Sequence, residues 1–189
     1  GDNAMRAKIN SNDFNRVIAA TKAFVSTGNS SQKCREYIRL EFDVASSRMT
    51  AMAVDGYRMS VEHAICECDE DFTTYIRGSI KLPNKMDAFI EVTETDTLIR
   101  CGDIIIGCPK LECSDNFDWI KALPEAPTFR IGFNGNYLLS ALQAAKESCG
   151  KSLREPVILE LRGPHEPVIL RTNKDDIKMV LPVRIKDNQ

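Results

Sequence analysis

Few side chains in this sequence could carry covalent or metal chemistry. There are seven cysteines (Cys34, Cys66, Cys68, Cys101, Cys108, Cys113 and Cys149) and two histidines (His63 and His165). A tetrahedral zinc site draws on paired C-x2–4-C knuckles that place two thiolates on one turn. Cys66-x-Cys68 and Cys101-x6-Cys108-x4-Cys113 lack that pairing, and the histidines are far apart in sequence. The cysteines therefore read as small apolar strand residues and, scattered and odd in number, as reduced thiols. A nucleophile–histidine pair would have to use His63 or His165, and neither lies beside a nucleophile elbow or a glycine-rich turn. Gly150-Lys151-Ser152 imitates the end of a phosphate-binding loop, but Ala145 stands where its first glycine belongs, and the fragment ends a helical pattern instead of starting one. The residues thus imply no metal, no cofactor and no catalytic set.

The elements that would position any site repeat along the chain. Arg6 to Asn10 reads as a strand and Ser11-Asn12 as a cap, with Phe14, Val17, Ile18, Thr21 and Val25 on one helical face. Phe129 to Phe133 alternates as a strand, Asn134-Gly135-Asn136 offers a cap, and Tyr137, Leu138, Ala141, Leu142 and Ala145 repeat the helical spacing. A weaker copy begins at Gly78: strand Ser79 to Leu82, breaker Pro83-Asn84, then a short helix through Met86 and Phe89. Strand runs follow each copy: Tyr37 to Phe42, Met49 to Val54 and Met59 to Glu62; then Thr97 to Arg100 and Ile104 to Ile106; then Val157 to Leu161, Val168 to Arg171 and Lys178 to Leu181. Three βαβββ-like units follow one another. Runs of strands with isolated amphipathic helices argue an α+β fold built on antiparallel sheets.

Composition sets the outer limits. With 189 residues, 43% hydrophobic and 28% charged, the chain is that of an ordinary globular protein. No apolar run approaches the ~20 residues of a membrane-spanning helix, and the expected location is the cytoplasm. A formal charge of −2 gives no uniformly basic surface, so any DNA contact requires local segregation of charge. Gly1 to Ala4 reads as a leftover of expression cloning. Two linkers, Asp69-Glu70-Asp71 and Leu123-Pro124-Glu125-Ala126-Pro127, divide the units, giving domains at 5–124 and 125–189.

Five segments carry a more specific signal. Ala53-Val54-Asp55-Gly56-Tyr57-Arg58-Met59 resembles the A-T-D-G-H-R-L stretch of bacterial sliding clamps, the β subunit of replicative DNA polymerase III. Gly102 to Ile106 resembles the clamps' V-G-D-F strand pair, Asn116 to Pro124 their R-F-P-D-Y-x-x-V-L-P linker, and Phe133 to Leu142 their F-N-x-x-Y-L-L-D-A-L helix start. Pro167 to Arg171 with Met179 to Ile185 resembles the P-x-x-I-R…L-P-V-R ending. The five stand in family order. Residues 5–124 resemble the middle clamp domain, with its second helix shortened to a stub at Asn84 to Ile90, and 128–185 resemble the second half of the last domain.

The resemblance implies a clamp fold with antiparallel sheets outside and helices on an inner face, and two functional surfaces. The inner face holds double-stranded DNA without reading sequence. Its candidates are Arg16, Lys22, Lys33, Lys146, Lys151 and Arg154. The second surface is a cleft for the short linear motifs of polymerases and repair proteins. It falls on Asp55, Gly56, Tyr57, Arg58, Met59, Phe117, Lys121, Ala122, Asn134, Tyr137, Val180, Leu181, Pro182, Val183 and Arg184. Met59, Ala122, Val180, Leu181 and Val183 would offer apolar contact, and Arg58 and Arg184 would hold carbonyls or an acidic residue. The chain departs from the family at Tyr57, where clamps often have His, and at Phe117, where they have Pro. The implied function is a non-catalytic processivity factor; a homo-oligomer of four chains would supply 4 × 3 = 12 units. The alternative is a monomeric peptide-binding module that does not encircle DNA.

Overall fold

The computed structural model describes residues 3–28, 31–113, 115–149, 155–173 and 175–187. The chain divides into two compact units, Gly1–Phe117 and Asp118–Gln189, earlier in the sequence than the proline-bearing 123–127 segment. No helix is long and apolar enough to cross a membrane.

The first unit opens with strand β1 (Met5–Asn10) and helix α1 (Ser11–Thr21). Asn10 caps the helix, its Oδ1 accepting from the Asn12 N–H at 2.9 Å. Phe14, Val17, Ile18 and Thr21 form the buried stripe that the helical spacing predicts. Strands β2 (Ile38–Asp43), β3 (Arg48–Val54), β4 (Met59–Ile65), β5 (Glu67–Cys68), β6 (Phe72–Ile76), β7 (Asp87–Val92), β8 (Asp96–Cys101) and β9 (Ile104–Pro109) complete the unit. They form two sheets, β4-β3-β2-β6 and β5-β1-β7-β8-β9, and every pairing is antiparallel. The first strand of each half is exchanged: β1 lies against β7 and β6 against β2. One core joins both sheets to α1, with Phe14, Ile38, Leu40, Met49, Ile76, Ile90 and Ile99 all fully buried.

Three expectations are overturned here. The copy at Gly78 has neither the strand at 79–82 nor the helix through Met86 and Phe89. Residues 87–92 instead form β7, with Ala88, Ile90 and Val92 buried in alternation and the strand paired to β1 along its whole length. A period of two over those residues satisfies the sheet, and no helical face was available to compete. The residues before β7 form a strap fastened to α1. Asn15 Nδ2 donates to the Leu82 carbonyl at 2.8 Å, Asn15 Oδ1 accepts from the Leu82 N–H at 2.9 Å, and Asn12 Oδ1 accepts from the Lys85 N–H at 3.0 Å. Leu82 itself enters the core. At the strap's start, a Cβ on Gly78 would fall 2.7 Å from Lys22 Cβ, so the approach to the end of α1 requires glycine.

The second correction concerns the thiols. Cys34, in a 3-10 turn over Lys33–Glu36, is disulfide-bonded to Cys113, with the Cα atoms 5.9 Å apart. The partners are 79 residues apart, so the fold pairs them and spacing gives no hint. The other five cysteines are free, and burial pushes the Cys66 thiol up to about 12.

The second unit contains α2 (Trp119–Ala122), α3 (Gly135–Ser148), β10 (Ile158–Glu160), β11 (Val168–Arg171) and β12 (Ile177–Val180). The strands form one antiparallel sheet in chain order. α3 packs on it around Val168, Leu170 and Val180, with Phe133, Ala141 and Val157 at the margin. Third, among the described residues the strand expected at Phe129 to Phe133 is reduced to a single bridge, Gly132 to Val183. The sequence thus folds as α+β with antiparallel sheets, as its strand runs predict.

Candidate functional site

In the first unit, Asp55 to Met59 form the turn between β3 and β4. Asp55 Oδ1 accepts from the N–H groups of Tyr57 and Arg58, each at 3.0 Å, while Oδ2 accepts from Arg58 Nε at 2.8 Å. Arg58, whose hydrogen bond contributes most, and these amides hold the Asp55 carboxyl below the usual carboxylate range. Gly56 takes φ +91°, as the turn requires. Arg58 Nη2 also donates to the Ala23 carbonyl at 2.6 Å, and its guanidinium lies 5.1 Å from the Phe24 ring centre. Arg58 is therefore used to fasten the turn beside the end of α1. Tyr57 is left 98% exposed.

Phe117 closes the first unit beside the disulfide. Arg35 donates from Nε to Asp115 Oδ2 at 2.8 Å, and its guanidinium lies over the Phe117 ring at 5.6 Å. Arg39 Nη2 donates to the Phe117 carbonyl at 2.7 Å. The Arg35 hydrogen bond is the main cause holding Asp115 below its ordinary range, and Asp115 in turn raises Arg35.

In the second unit the expected residues partly converge. Asn134 caps α3, its Oδ1 accepting from the Asn136 and Tyr137 N–H groups at 3.0 and 3.3 Å. The cap points the first turn so that Tyr137 borders an open apolar groove of about 890 Å³, formed by Tyr137, Ser140, Ala141 and Ala144 of α3 and residues 177–183. Small side chains on α3 leave the space. On the opposite wall Ile177, Met179 and Leu181 alternate outward, 51%, 60% and 64% exposed, while Val180 turns into the core. Val183 continues the wall, its N–H donating to the Gly132 carbonyl at 2.8 Å.

Of the expected cleft residues, Tyr137, Val180, Leu181, Pro182 and Val183 thus share one groove, with Asn134 as its cap. Lys121 and Ala122 are exposed on α2, where Lys121 pairs with Asp118 at 3.7 Å, and Arg184 is exposed after the groove wall. Sequence reasoning missed Ser140, Ala141, Ala144, Ile177, Lys178 and Met179. The signal was the run of small residues at helical spacing facing an alternating strand.

Among the expected DNA-facing residues, Arg16 is held by its own unit. It pairs with Asp13 and Glu62, each at 3.7 Å, and Nη2 donates to the His63 carbonyl at 3.1 Å. Lys22, Lys33 and Lys146 are exposed; Lys146 lies in the last turn of α3, where the helix dipole favours a cation. Lys151 and Arg154 lie outside the described residues. Among the described residues no group of three or more His, Cys, Asp or Glu side chains is placed to hold a metal ion.

No family model and no curated protein matches the sequence. Solved structures match its fold. A Eubacterium rectale protein assigned as a DNA polymerase III beta subunit aligns with a TM-score of 0.80 at 14% identity, over 94% of this chain and 50% of its own. The DNA polymerase III beta chain of Streptococcus pneumoniae gives 0.79 at 15%, over 94% and 49%. The Helicobacter pylori beta clamp bound to a DNA ligase peptide gives 0.73 at 12%, over 95% and 50%. The chain spans about half the length of these structures, and its fold is that of the DNA polymerase III beta sliding clamps.

Proposed function

We propose that this protein is a non-catalytic, sliding-clamp-like accessory factor. It holds double-stranded DNA without sequence preference and tethers polymerase or repair proteins through a short apolar peptide segment lodged in the α3–β12 groove. The observation that carries the reading is the groove: an apolar wall at residues 177–183 beside small residues of α3, with Tyr137 and residues 180–183 at positions the clamp resemblance had marked. An extended peptide could bury its anchors against this wall, and the polarizable Met179 would adapt to varied side chains. The peptide-bound Helicobacter pylori clamp supports the same reading by fold.

The experiment has two arms. Fluorescence anisotropy with a labelled apolar peptide from a DNA ligase tests the groove, and saturable binding is expected. Retention on circular primed DNA that is lost on linearisation tests encirclement. Absence of peptide binding would refute the tethering role. Peptide binding without retention on circles would select the second reading, a peptide-binding module that does not encircle DNA. The ion pairs that occupy Arg16, together with a net charge of −2, favour that alternative.

A further inference from the structure

The first unit contains a cavity of about 340 Å³ that shares no residue with the α3–β12 groove. It lies between the end of β6 with the start of the strap on one side and the end of β9 on the other. β6 and β9 are edge strands of the unit's two sheets. The volume falls at the lower end of the range of small-molecule sites, about 300–1,000 Å³.

Its lining divides by chemistry. Tyr37 and Tyr75, both half-buried, supply two phenol rings, and Ile80 and Ile106, packed on the core, supply aliphatic surface. Toward solvent stand two cations, Arg77 and Lys110, both exposed. Arg77 is already ordered: its guanidinium lies 5.0 Å from the Tyr37 ring centre, and Nη2 donates to the Tyr37 hydroxyl at 3.2 Å. A guanidinium has five N–H donors in a planar fork, so this bond leaves donors for a ligand, and a side chain fixed beforehand loses less freedom when it binds one. Lys110 is anchored through its backbone, the N–H donating to the Thr95 carbonyl at 2.8 Å. Among the described residues no carboxylate lines the cavity. In a chain whose formal charge is −2, two cations around a largely apolar space are a local reversal of charge. The half-buried Cys108 thiol also faces this space; burial pushes its pKa up and the nearby Arg77 opposes the rise.

We propose that this cavity binds a small aromatic anion, a planar ring carrying a carboxylate or phosphate group. The ring lies against Tyr37 and Tyr75, and the anionic group meets Arg77 and Lys110. An uncharged aromatic compound would cover the rings and leave both cations unanswered. A simple inorganic anion would answer the cations and leave the apolar walls in water. Only a ligand with both parts satisfies the whole lining. This inference stands apart from the peptide groove and from DNA.

Isothermal titration calorimetry of the full chain with 2-naphthoate and with phenyl phosphate tests it. Saturable one-to-one binding of either is expected, and the tighter of the two identifies the anionic group. The neutral analogue 2-naphthamide should bind about tenfold or more weakly than 2-naphthoate, the worth of a hydrogen bond to a charged group. Arg77→Gln, on an exposed side chain, should weaken the anion by a similar factor at unchanged far-ultraviolet circular dichroism, and Lys110→Gln is the second variant. Cys108 reports the place: bound ligand should slow its alkylation by iodoacetamide, followed by peptide mass spectrometry, while Cys149 in the second unit reacts as before. Failure of both anions to bind overturns the proposal. So does equal binding of the amide, binding that leaves Cys108 alkylation unchanged, or affinity that both folded variants retain.

Discussion

Leu181→Ala isolates the groove's contribution to peptide binding. Leu181 is 64% exposed in the free protein, so the substitution removes apolar surface that is still in water and leaves the core untouched. Complete burial of a leucine side chain is worth about 1.5–3 kcal/mol, and the share still available to a ligand is therefore about 1–2 kcal/mol. At about 1.4 kcal/mol per tenfold in affinity, the dissociation constant of an apolar ligase-type peptide should rise about five- to thirtyfold. Anisotropy titration measures this directly, with the thermal midpoint as control. Val180→Ala provides the contrast: at 6% exposure Val180 belongs to the core, so its truncation should lower the midpoint. A folded Leu181→Ala protein that binds the peptide within twofold of the parent would refute the groove as the docking site.

Four further outcomes follow from contacts described above. Asn15→Ala removes both hydrogen bonds that fasten the strap to α1 at Leu82; a loss of about 1–3 kcal/mol should appear as a fall of several degrees in the melting midpoint, with faster exchange at residues 78–86. Asp115 is held below its ordinary range by Arg35, so the pair stabilises the fold above that range and its contribution is lost as pH falls through the lowered value. Urea unfolding should therefore lose less stability between pH 6 and pH 3 in Asp115→Asn than in the parent. Breaking the Cys34–Cys113 disulfide, which spans 79 residues, should cost about 2–4 kcal/mol, read as a lower urea midpoint in dithiothreitol and matched by Cys34→Ala. For DNA, phosphate contacts limited to Lys22, Lys33, Lys146, Lys151 and Arg154 give a log–log salt slope no steeper than about −4.5 per chain, at about −0.9 per contact; a steeper slope would place Arg16 or other cations on the phosphates.

What the sequence made legible was local. Phe14, Val17, Ile18 and Thr21 announce α1 because one turn of helix decides which of them share a face. Asn134 announces α3 because a cap is made within three residues. The groove was half legible for the same reason: Tyr137 and residues 180–183 belong to recognisable local patterns, whereas Ser140, Ala144 and Ile177 matter only once α3 lies on β12. The helix expected near Met86 failed because residues 87–92 carry an alternation that the sheet rewards, through β1 some eighty positions away in sequence and through the neighbouring β8. The disulfide was invisible for a related reason, since Cys34 and Cys113 lie 79 residues apart and are brought together only by the tertiary fold.

The Asp55–Arg58 turn shows a subtler limit. Residue types alone let Arg58 serve a ligand, because a guanidinium in an exposed turn has five donors and a free face. The structure shows Nε on Asp55, Nη2 on the Ala23 carbonyl and the plane against Phe24. Those contacts make the arginine a brace whose removal would loosen both the turn and the end of α1. The exposed group that the brace presents is Tyr57, one of the two positions at which this chain departs from the clamp pattern. An amphipathic phenol offers a ring face and a hydroxyl where an imidazole would offer a titratable nitrogen. A partner read through this turn would therefore be selected for aromatic or apolar contact in preference to charge.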